Sequence, residues 1–332
     1  MTGLFTRRAT VAGLGACFVL LTLPAQAAER TVQHAQGRTR LPATPRRVAV
    51  YDLAALDILQ SLEVPVAGVP AVRLPDYLSD YGGKAFDKVG SLFEPDMAAL
   101  RAAAPDLIVV GGRSASKYEE LSRVAPTLDL STGTTDFVAS VIRNIVLLGT
   151  VFDRQARAEA LAAQLSIAVR GLQAQGERAG RGLLLFAVGD GLVPQPPKSR
   201  FGVVYELAGI ASVMRESDAA PAARRAATEP AQDAAATEAA RLQQAAANAR
   251  RLDEMLARQP DWLFVLDRPA ATGGAPIAAG LLAAHPGVAA TPAWRRQQVV
   301  QLDAPTWYLV GGGYTALRSS VTQMATAFGQ RG

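Results

Sequence analysis

The sequence predicts an α/β protein built as two lobes of one design with a long helical stretch between them. Three observations carry this. Short β-branched runs alternate with helix-period segments, as in "RRVAVYDLAALDILQSLEVPVAGVP". The first-half stretch "DMAALRAAAPDLIVVGGR" is echoed in the second half by "LDEMLARQPDWLFVLDR". From Thr135 to about Gly176 the chain reads as helix almost throughout. At 332 residues there is enough chain for two cores.

The N-terminus reads as an export signal. Arg7 and Arg8 form a positive start, "ATVAGLGACFVLLTLP" is the apolar stretch, and Ala25-Gln26-Ala27 is an A-x-A cleavage site. Residues 1–27 are therefore expected to be removed, leaving a periplasmic protein that starts near Ala28. Two variants stay open. "TRRATVA" resembles a twin-arginine signal, with Thr10 where an aromatic is usual. "LGAC" resembles a lipobox, although the apolar run continues past Cys17. Cys17 is the only cysteine, so the mature chain would hold no disulfide and no thiolate site. The net charge of +5 falls to about +3 without the signal, and no Lys/Arg block suggests a nucleic-acid partner.

Residues 28 to about 43 read as a polar lead-in strand. Val48–Tyr51 is a strand, Leu53, Leu56, Ile58, Leu59 and Leu62 mark a helix, and Val66–Val69 is a second strand, which makes a β-α-β unit. Pro95-Asp96 opens a helix, Pro105-Asp106 breaks it, and the strand Leu107–Val110 follows. "DFVASVIRNIVLLGTVF" is an amphipathic helix, and "DRQARAEALAAQLSIAVRGLQAQG" is a second one with Asp153 as its expected N-cap. The domain reading is an N-terminal lobe at 28–150, a connecting helix at 151–178 and a C-terminal lobe at 179–332. The Ala-rich stretch 218–250 is expected to be an exposed insertion, helical near Thr237–Arg251.

"WYLVGGGYTA" fits G-x-G-x-x-A at Gly311–Ala316 after an apolar run, the outline of a dinucleotide turn. A dinucleotide fold needs a further β-α-β unit and an acidic residue about 20 positions on. Only about 20 residues remain, so these glycines are read as a strand-to-helix turn facing a cleft.

Five segments in order now carry a resemblance: "PRRVAVYDLAALDILQSLEV", "EPDMAALRAAAPDLIVVGGRSASKYEELSRVAPTLDL", "SRFGVVYELAG", "QPDWLFVLDR" and "WYLVGGGYTAL". Together they resemble the periplasmic iron-siderophore-binding proteins of ABC importers, and within these the catecholate-type binders. The resemblance implies two Rossmann-like lobes with a cleft between them, joined by one long α-helix. It implies a ferric siderophore as ligand, no intrinsic cofactor, an inner-membrane permease as partner, a monomer and no enzymatic activity. Residue by residue, it implies Arg113, Arg200 and Arg268 as ligand-binding cations and Tyr308 as a ligand-binding residue that can also bind the metal. Chemistry agrees. A ferric tris-catecholate carries about −3, and guanidinium is planar, permanently charged and weakly hydrated. Arg113 and Arg268 directly follow expected parallel strands, whose carboxyl ends bind ligands in open sheets. Each of these arginines could equally be a solvated surface residue, and Tyr308 a core aromatic.

Two departures from the family pattern stand out. A second iron-ligating His is expected after the "SRFG" helix, yet His34 and His285 are the only histidines and neither matches. Permease docking uses a carboxylate seven residues before each Pro-Asp. Asp253 fills the second position, but Ala98 occupies the first, leaving Glu94 or Asp96 as substitutes or simple helix-start acids. The alternatives carried forward are a binder of haem, cobalamin or a hydroxamate siderophore and, from another class, an exported α/β enzyme. The enzyme reading lacks G-x-S-x-G, H-E-x-x-H and P-loop motifs in the mature chain.

Overall fold

The computed structural model describes residues 29–218 and 234–329. The expected signal segment, Cys17 and the first part of the Ala-rich stretch lie outside the described residues.

The described residues begin with a hairpin, β1 (Arg30–His34) and β2 (Gly37–Leu41), rather than a single lead-in strand. Gly37 at φ +123° supplies the turn that sequence periodicity did not reveal. Then come β3 (Val48–Val50), α1 (Leu53–Ser61), β4 (Gly68–Val69), β5 (Asp87–Lys88), α2 (Met97–Ala103), β6 (Leu107–Val110), α3 (Tyr118–Leu121) and β7 (Thr127–Asp129). Their strands form a parallel sheet of order β5-β4-β3-β6-β7. The near-continuous apolar runs of β3 and β6 fit a sheet covered on both faces.

Helix α4 (Phe137–Val151) and helix α5 (Gln155–Gly176) follow. At 22 residues, α5 is about 33 Å long at 1.5 Å per residue. It packs on α4 and, farther along the chain, on elements of the second lobe. Its buried stripe, Ala158, Ala162, Leu165, Val169 and Leu172, has helical spacing. Asp153 is not its cap. That residue sits at φ +55°, and its carboxylate accepts from Thr44 Oγ1 at 2.8 Å and pairs with Arg30 at 2.5 Å. The short break between the helices places its side chain toward the N-terminal hairpin instead.

The second lobe holds β8 (Arg181–Val188), β9 (Gly191–Gln195), α6 (Val203–Ala208), β10 (Ala211–Ser212), α7 (Ala234–Ala257), β11 (Trp262–Asp267), α8 (Arg268–Ala271), α9 (Ala278–Ala284), α10 (Pro286–Ala289), α11 (Pro292–Arg295), β12 (Val299–Gln301) and α12 (Tyr314–Gly329). Strands β10-β8-β11-β12 are parallel, and β9 returns antiparallel on β8. The helix expected at Thr237–Arg251 lies within α7. Residues 242–246 of α7 are exposed, whereas Leu252, Met255 and Leu256 enter the core.

Two buried or half-buried carboxylates tie the lobes together. Asp57 of α1 is fully buried and accepts from the N–H groups of Thr315 and Ala316, both at 2.9 Å, at the start of α12. Glu206 of α6 accepts from Phe137 N and Val138 N, both at 3.0 Å, at the start of α4. Each lobe thus supplies an anion to the positive end of a helix beyond its own sheet.

Candidate functional site

A cleft of about 590 Å³, within the usual range for ligand sites, opens between the lobes. Its N-terminal wall lies at carboxyl ends of parallel strands, where such sheets bind ligands. Asp52 follows β3, Gly112 and Arg113 follow β6, and Leu130–Thr134 follow β7. Its C-terminal wall holds Arg200, Phe201 and the segment Trp307–Gly312.

Local chemistry fixes each wall. Gly112, at φ +47°, donates its N–H to Ser131 Oγ at 2.9 Å, and Ser131 Oγ donates to buried Asp129 at 2.5 Å. That bracket aims Arg113 across the cleft. Its guanidinium donates to the carbonyl oxygens of Tyr308 and, at 3.3 Å, Leu309. Arg200 donates to the same Tyr308 carbonyl at 2.9 Å. Both cations also lie over the Tyr308 ring, at 5.2 and 5.4 Å from its centroid, and Arg200 lies 4.8 Å from the Phe201 ring. Behind them Phe186, Phe201 and Tyr308 form an aromatic cluster with centroids 5.0 to 6.1 Å apart.

Two cations sharing one carbonyl are electrostatically under-compensated. Burial, and then the charge of Arg113, brings the Arg200 guanidinium down to about 10. Burial also lowers Arg113, with the Tyr308 side chain and Asp52 acting in the opposite direction. Both remain charged at neutral pH, and an anion entering the cleft relieves the penalty. The Tyr308 side chain interacts with Arg113 and offers a phenol oxygen to the cleft.

The segment before the glycines is a π-helical turn, Thr306–Val310, not the expected strand. Such turns concentrate at functional sites. Here the turn presents the Tyr308 carbonyl and ring to the two arginines. Gly311 at φ +66° closes it. At Gly313 a Cβ would sit 2.1 Å from Asp57 Oδ2, so only glycine lets that carboxylate reach the start of α12. The glycine motif serves the lobe junction, not a nucleotide.

Comparison with known proteins agrees with this architecture. The signature of the periplasmic binding protein family matches residues 48–306. The chain belongs to that family. It is 28% identical over 89% of its length, and 85% of the relative's, to the petrobactin-binding protein YclQ of Bacillus subtilis. It is 27% identical, over 86% and 84%, to the ferric-anguibactin-binding protein FatB of Vibrio anguillarum. The crystal structure of YclQ superposes with a TM-score of 0.76 at 25% identity, covering 91% of this chain and 99% of that one. The catecholate-siderophore binding protein VctP of Vibrio cholerae gives 0.75 at 25% identity, covering 90% and 100%. The fold is the expected one: two Rossmann-like lobes with a cleft between them, joined by one long α-helix.

The structure brings Arg113, Arg200 and Tyr308 together and leaves Arg268 outside the cleft lining. Arg268 is exposed in the first turn of α8, whose N-cap Asp267 turns the chain away after β11. Glu94 lines the cleft and pairs with Lys117 at 2.6 Å, and Asp96 is occupied as the N-cap of α2. Asp253 is exposed on α7, 3.6 Å from His285 Nε2. His34 is buried in the N-terminal hairpin and His285 lies beside α7, so neither lines the cleft.

Sequence reasoning missed Asp52. It caps α1 through Ala55 N at 2.8 Å and also faces the cleft beside Arg113. Burial pushes its carboxyl up, against the pull of Ala55 N–H and Arg113. Gly111 is the trace it leaves in the sequence, since a Cβ there would meet Asp52 Cγ at 2.9 Å.

Proposed function

We propose that this protein captures an anionic ferric siderophore, of catecholate type, in the cleft and delivers it to an inner-membrane ABC permease for iron uptake. The observation that carries the reading is the pair Arg113 and Arg200, half-desolvated, converging on one carbonyl and stacked on Tyr308. A flat, delocalised polyanion satisfies both guanidinium planes and lays its rings against the aromatic cluster. The names of the relatives, petrobactin-binding and ferric-anguibactin-binding, support the same ligand class. In this reading the protein acts as a monomer in the periplasm, without resident cofactor or enzymatic activity, and presents exposed carboxylates such as Asp253 to the permease.

With Arg268 outside the cleft and Asp52 inside it, the cleft counts two cations against one facing carboxylate, beside the Glu94–Lys117 pair. This balance suits a complex of lower charge than a tris-catecholate trianion. Tyr308 then supplies a phenol oxygen to iron that is not saturated by its siderophore.

Trp307 lines the cleft and reports occupancy. Fluorescence titration against ferric catecholates, ferric hydroxamates, ferric citrate, haem and cobalamin tests the reading. Tightest binding of a ferric catecholate is expected. Tighter binding of a neutral hydroxamate, or of haem or cobalamin, would refute it.

A further inference from the structure

Phe93 stands out among the exposed large apolar side chains. Phe93, Val146, Ile167 and Leu242 are such residues among those described, and Phe93, 57% exposed, is the aromatic one and the one that lines the cleft. An exposed ring is usually unremarkable, but this one is held in place. Ser91 Oγ accepts from Phe93 N at 3.2 Å and from Glu94 N at 2.9 Å. Ser91 N donates back to the Glu94 carbonyl at 2.8 Å, and Gly90 bridges Pro95. The Glu94–Lys117 pair anchors the same loop to the first lobe. Gly90 needs its φ of +113°, and a Cβ there would meet Asp96 N at 2.3 Å. The chain is therefore pinned on both sides of a ring that stacks on no other aromatic ring among the described residues.

Of the cleft's other aromatic rings, Phe201, Trp307 and Tyr308 belong to the second lobe, with Phe186 behind them. The first lobe contributes polar loops, the buried Phe137 at the start of α4, and one exposed aromatic ring, Phe93. We propose that Phe93 is a specificity-determining residue of the cleft mouth, which covers a planar aromatic ring of the bound ferric complex from the side opposite Tyr308. The inference rests on the reading of the cleft as a ferric-siderophore site and adds a requirement to it: the ligand carries at least one aryl ring exposed beyond the Arg113–Arg200 pair. Stacking and desolvation of the Phe93 ring then discriminate aryl-bearing complexes from aliphatic ones of like charge.

The test is titration of the intrinsic tryptophan fluorescence, to which Trp307 in the cleft contributes, in the full mature protein with ferric 2,3-dihydroxybenzoate and with ferric citrate. The variants are Phe93→Ala, Phe93→Leu and Phe93→Tyr. Because the ring is exposed, melting temperatures should coincide with wild type, which separates folding from binding. Phe93→Ala should weaken the aryl complex by about tenfold or more, the scale of burying an aromatic side chain, and leave ferric citrate within about twofold. Tyr should restore binding and Leu should not. Equal losses for both ligands, or full rescue by Leu, would overturn the proposal. So would unchanged binding together with lost iron uptake in cells, because that places the ring in the permease interface. If wild type bound neither complex, the cleft reading itself would fall and this inference with it. If wild type bound the aryl complex and every variant matched it, only the role of Phe93 would fall.

Discussion

The two lobes meet through two kinds of contact. At the lobe junction, Asp57 and Glu206 reach across to helix N-termini, and each of their carboxylate oxygens accepts from a fixed backbone donor. Tyr77 OH adds a third bond to Asp57 at 3.0 Å. At the cleft, Arg113 and Arg200 also cross between elements, but their shared acceptor is a single carbonyl and solvent reaches them. A carboxylate bonded on both oxygens has little reason to exchange partners. Two guanidinium groups on one neutral oxygen gain by trading it for an anion. The difference teaches which contacts hold the structure and which are held ready for a ligand.

The largest expected effect lies at the junction. Asp57→Ala strands the Thr315 and Ala316 amides and the Tyr77 hydroxyl in a buried site, at about 1–3 kcal/mol for each unsatisfied group that water does not reach. A drop of at least ~3 kcal/mol in denaturant stability is expected. Asp57→Asn keeps one acceptor and should lose about half as much. Ligand affinity per folded molecule should hardly change. A variant as stable as wild type would show that water or a shifted helix replaces the carboxylate, and the contrast between the two contact types would break.

Next are the cleft arginines. Arg113→Ala and Arg200→Ala should each weaken an anionic ferric catecholate by about 2–5 kcal/mol, as for a truncated charge partner in a desolvated site, with stability nearly unchanged. Arg268→Ala should stay within about 0.5 kcal/mol of wild type in both measures, as expected for an exposed surface change. A large binding loss at Arg268 would mean that the second lobe rearranges on binding to bring α8 to the ligand. Asp52→Asn keeps the helix cap, since Asn caps as well as Asp, and removes a facing negative charge. Affinity for the anion should rise by about 1 kcal/mol, the scale of one charge at moderate distance and effective dielectric. Unchanged affinity at neutral pH would mean that Asp52 is already protonated there.

What the sequence disclosed follows the same division. Parallel strands announced themselves because both faces are buried and the runs are apolar, as at Leu107–Val110. The long helix showed its stripe. Arg113 and Arg200 were named through the resemblance, because the residues alone left a solvated surface role equally open. Arg268 occupies an equivalent place in sequence and a different one in space. The cause is Asp267, whose carboxylate takes the N–H groups of Ala270, Ile277 and Ala278 at 2.7 to 3.1 Å and starts a helix at once. No local pattern distinguishes that cap from the Gly-Gly turn before Arg113 until the partners at 277 and 278 are known. Asp52 and Asp57 were hidden for a related reason. One acidic residue at a helix start and another within it look ordinary, and their roles depend on partners up to 259 residues away. The π-helical turn at Thr306–Val310 was read as a strand because a short apolar run before glycine satisfies both descriptions.

A pH experiment sharpens the comparison at a third place, the N-terminal hairpin against β7. His34 is buried, and its Nδ1 accepts from the N–H groups of Gln36 and Asp129 while Nε2 lies 2.8 Å from Thr39 Oγ1. Burial lowers its pKa, against the pull of Asp129. Below about pH 6.5, the ordinary histidine value, the unfolded chain binds more protons than the folded one. Stability should therefore fall as pH drops through 6.5 toward the lowered folded value, and level off below it. His34→Gln should flatten that part of the melting-temperature profile. Asp129 also holds Ser131 behind Gly112, so a proton on His34 should loosen the first-lobe wall of the cleft before it disturbs the Asp57 junction. Amide exchange would show this as earlier loss of protection at Gly112 than at Ala316, and the reverse order would contradict it.

The smallest effect, and the most selective one, belongs to Tyr308. Its carbonyl is committed to the two arginines and its ring to the aromatic cluster, and both survive in Tyr308→Phe. Only the hydroxyl is lost, together with its interaction with Arg113. With a hexadentate siderophore whose iron is saturated, the variant should lose under ~1 kcal/mol, the scale of one neutral hydrogen bond. With a tetradentate bis-catecholate the iron has open positions, and a phenolate can fill one; the loss should then be larger and be accompanied by a change in the phenolate-to-iron charge-transfer band. Equal losses with no spectral change would assign Tyr308 to ring packing alone. A spectral change with the hexadentate complex would mean that the cleft strips a donor from the siderophore. In that case Arg113 and Arg200 would be competing with iron for the displaced catecholate oxygen, and Arg200→Ala should reverse the change.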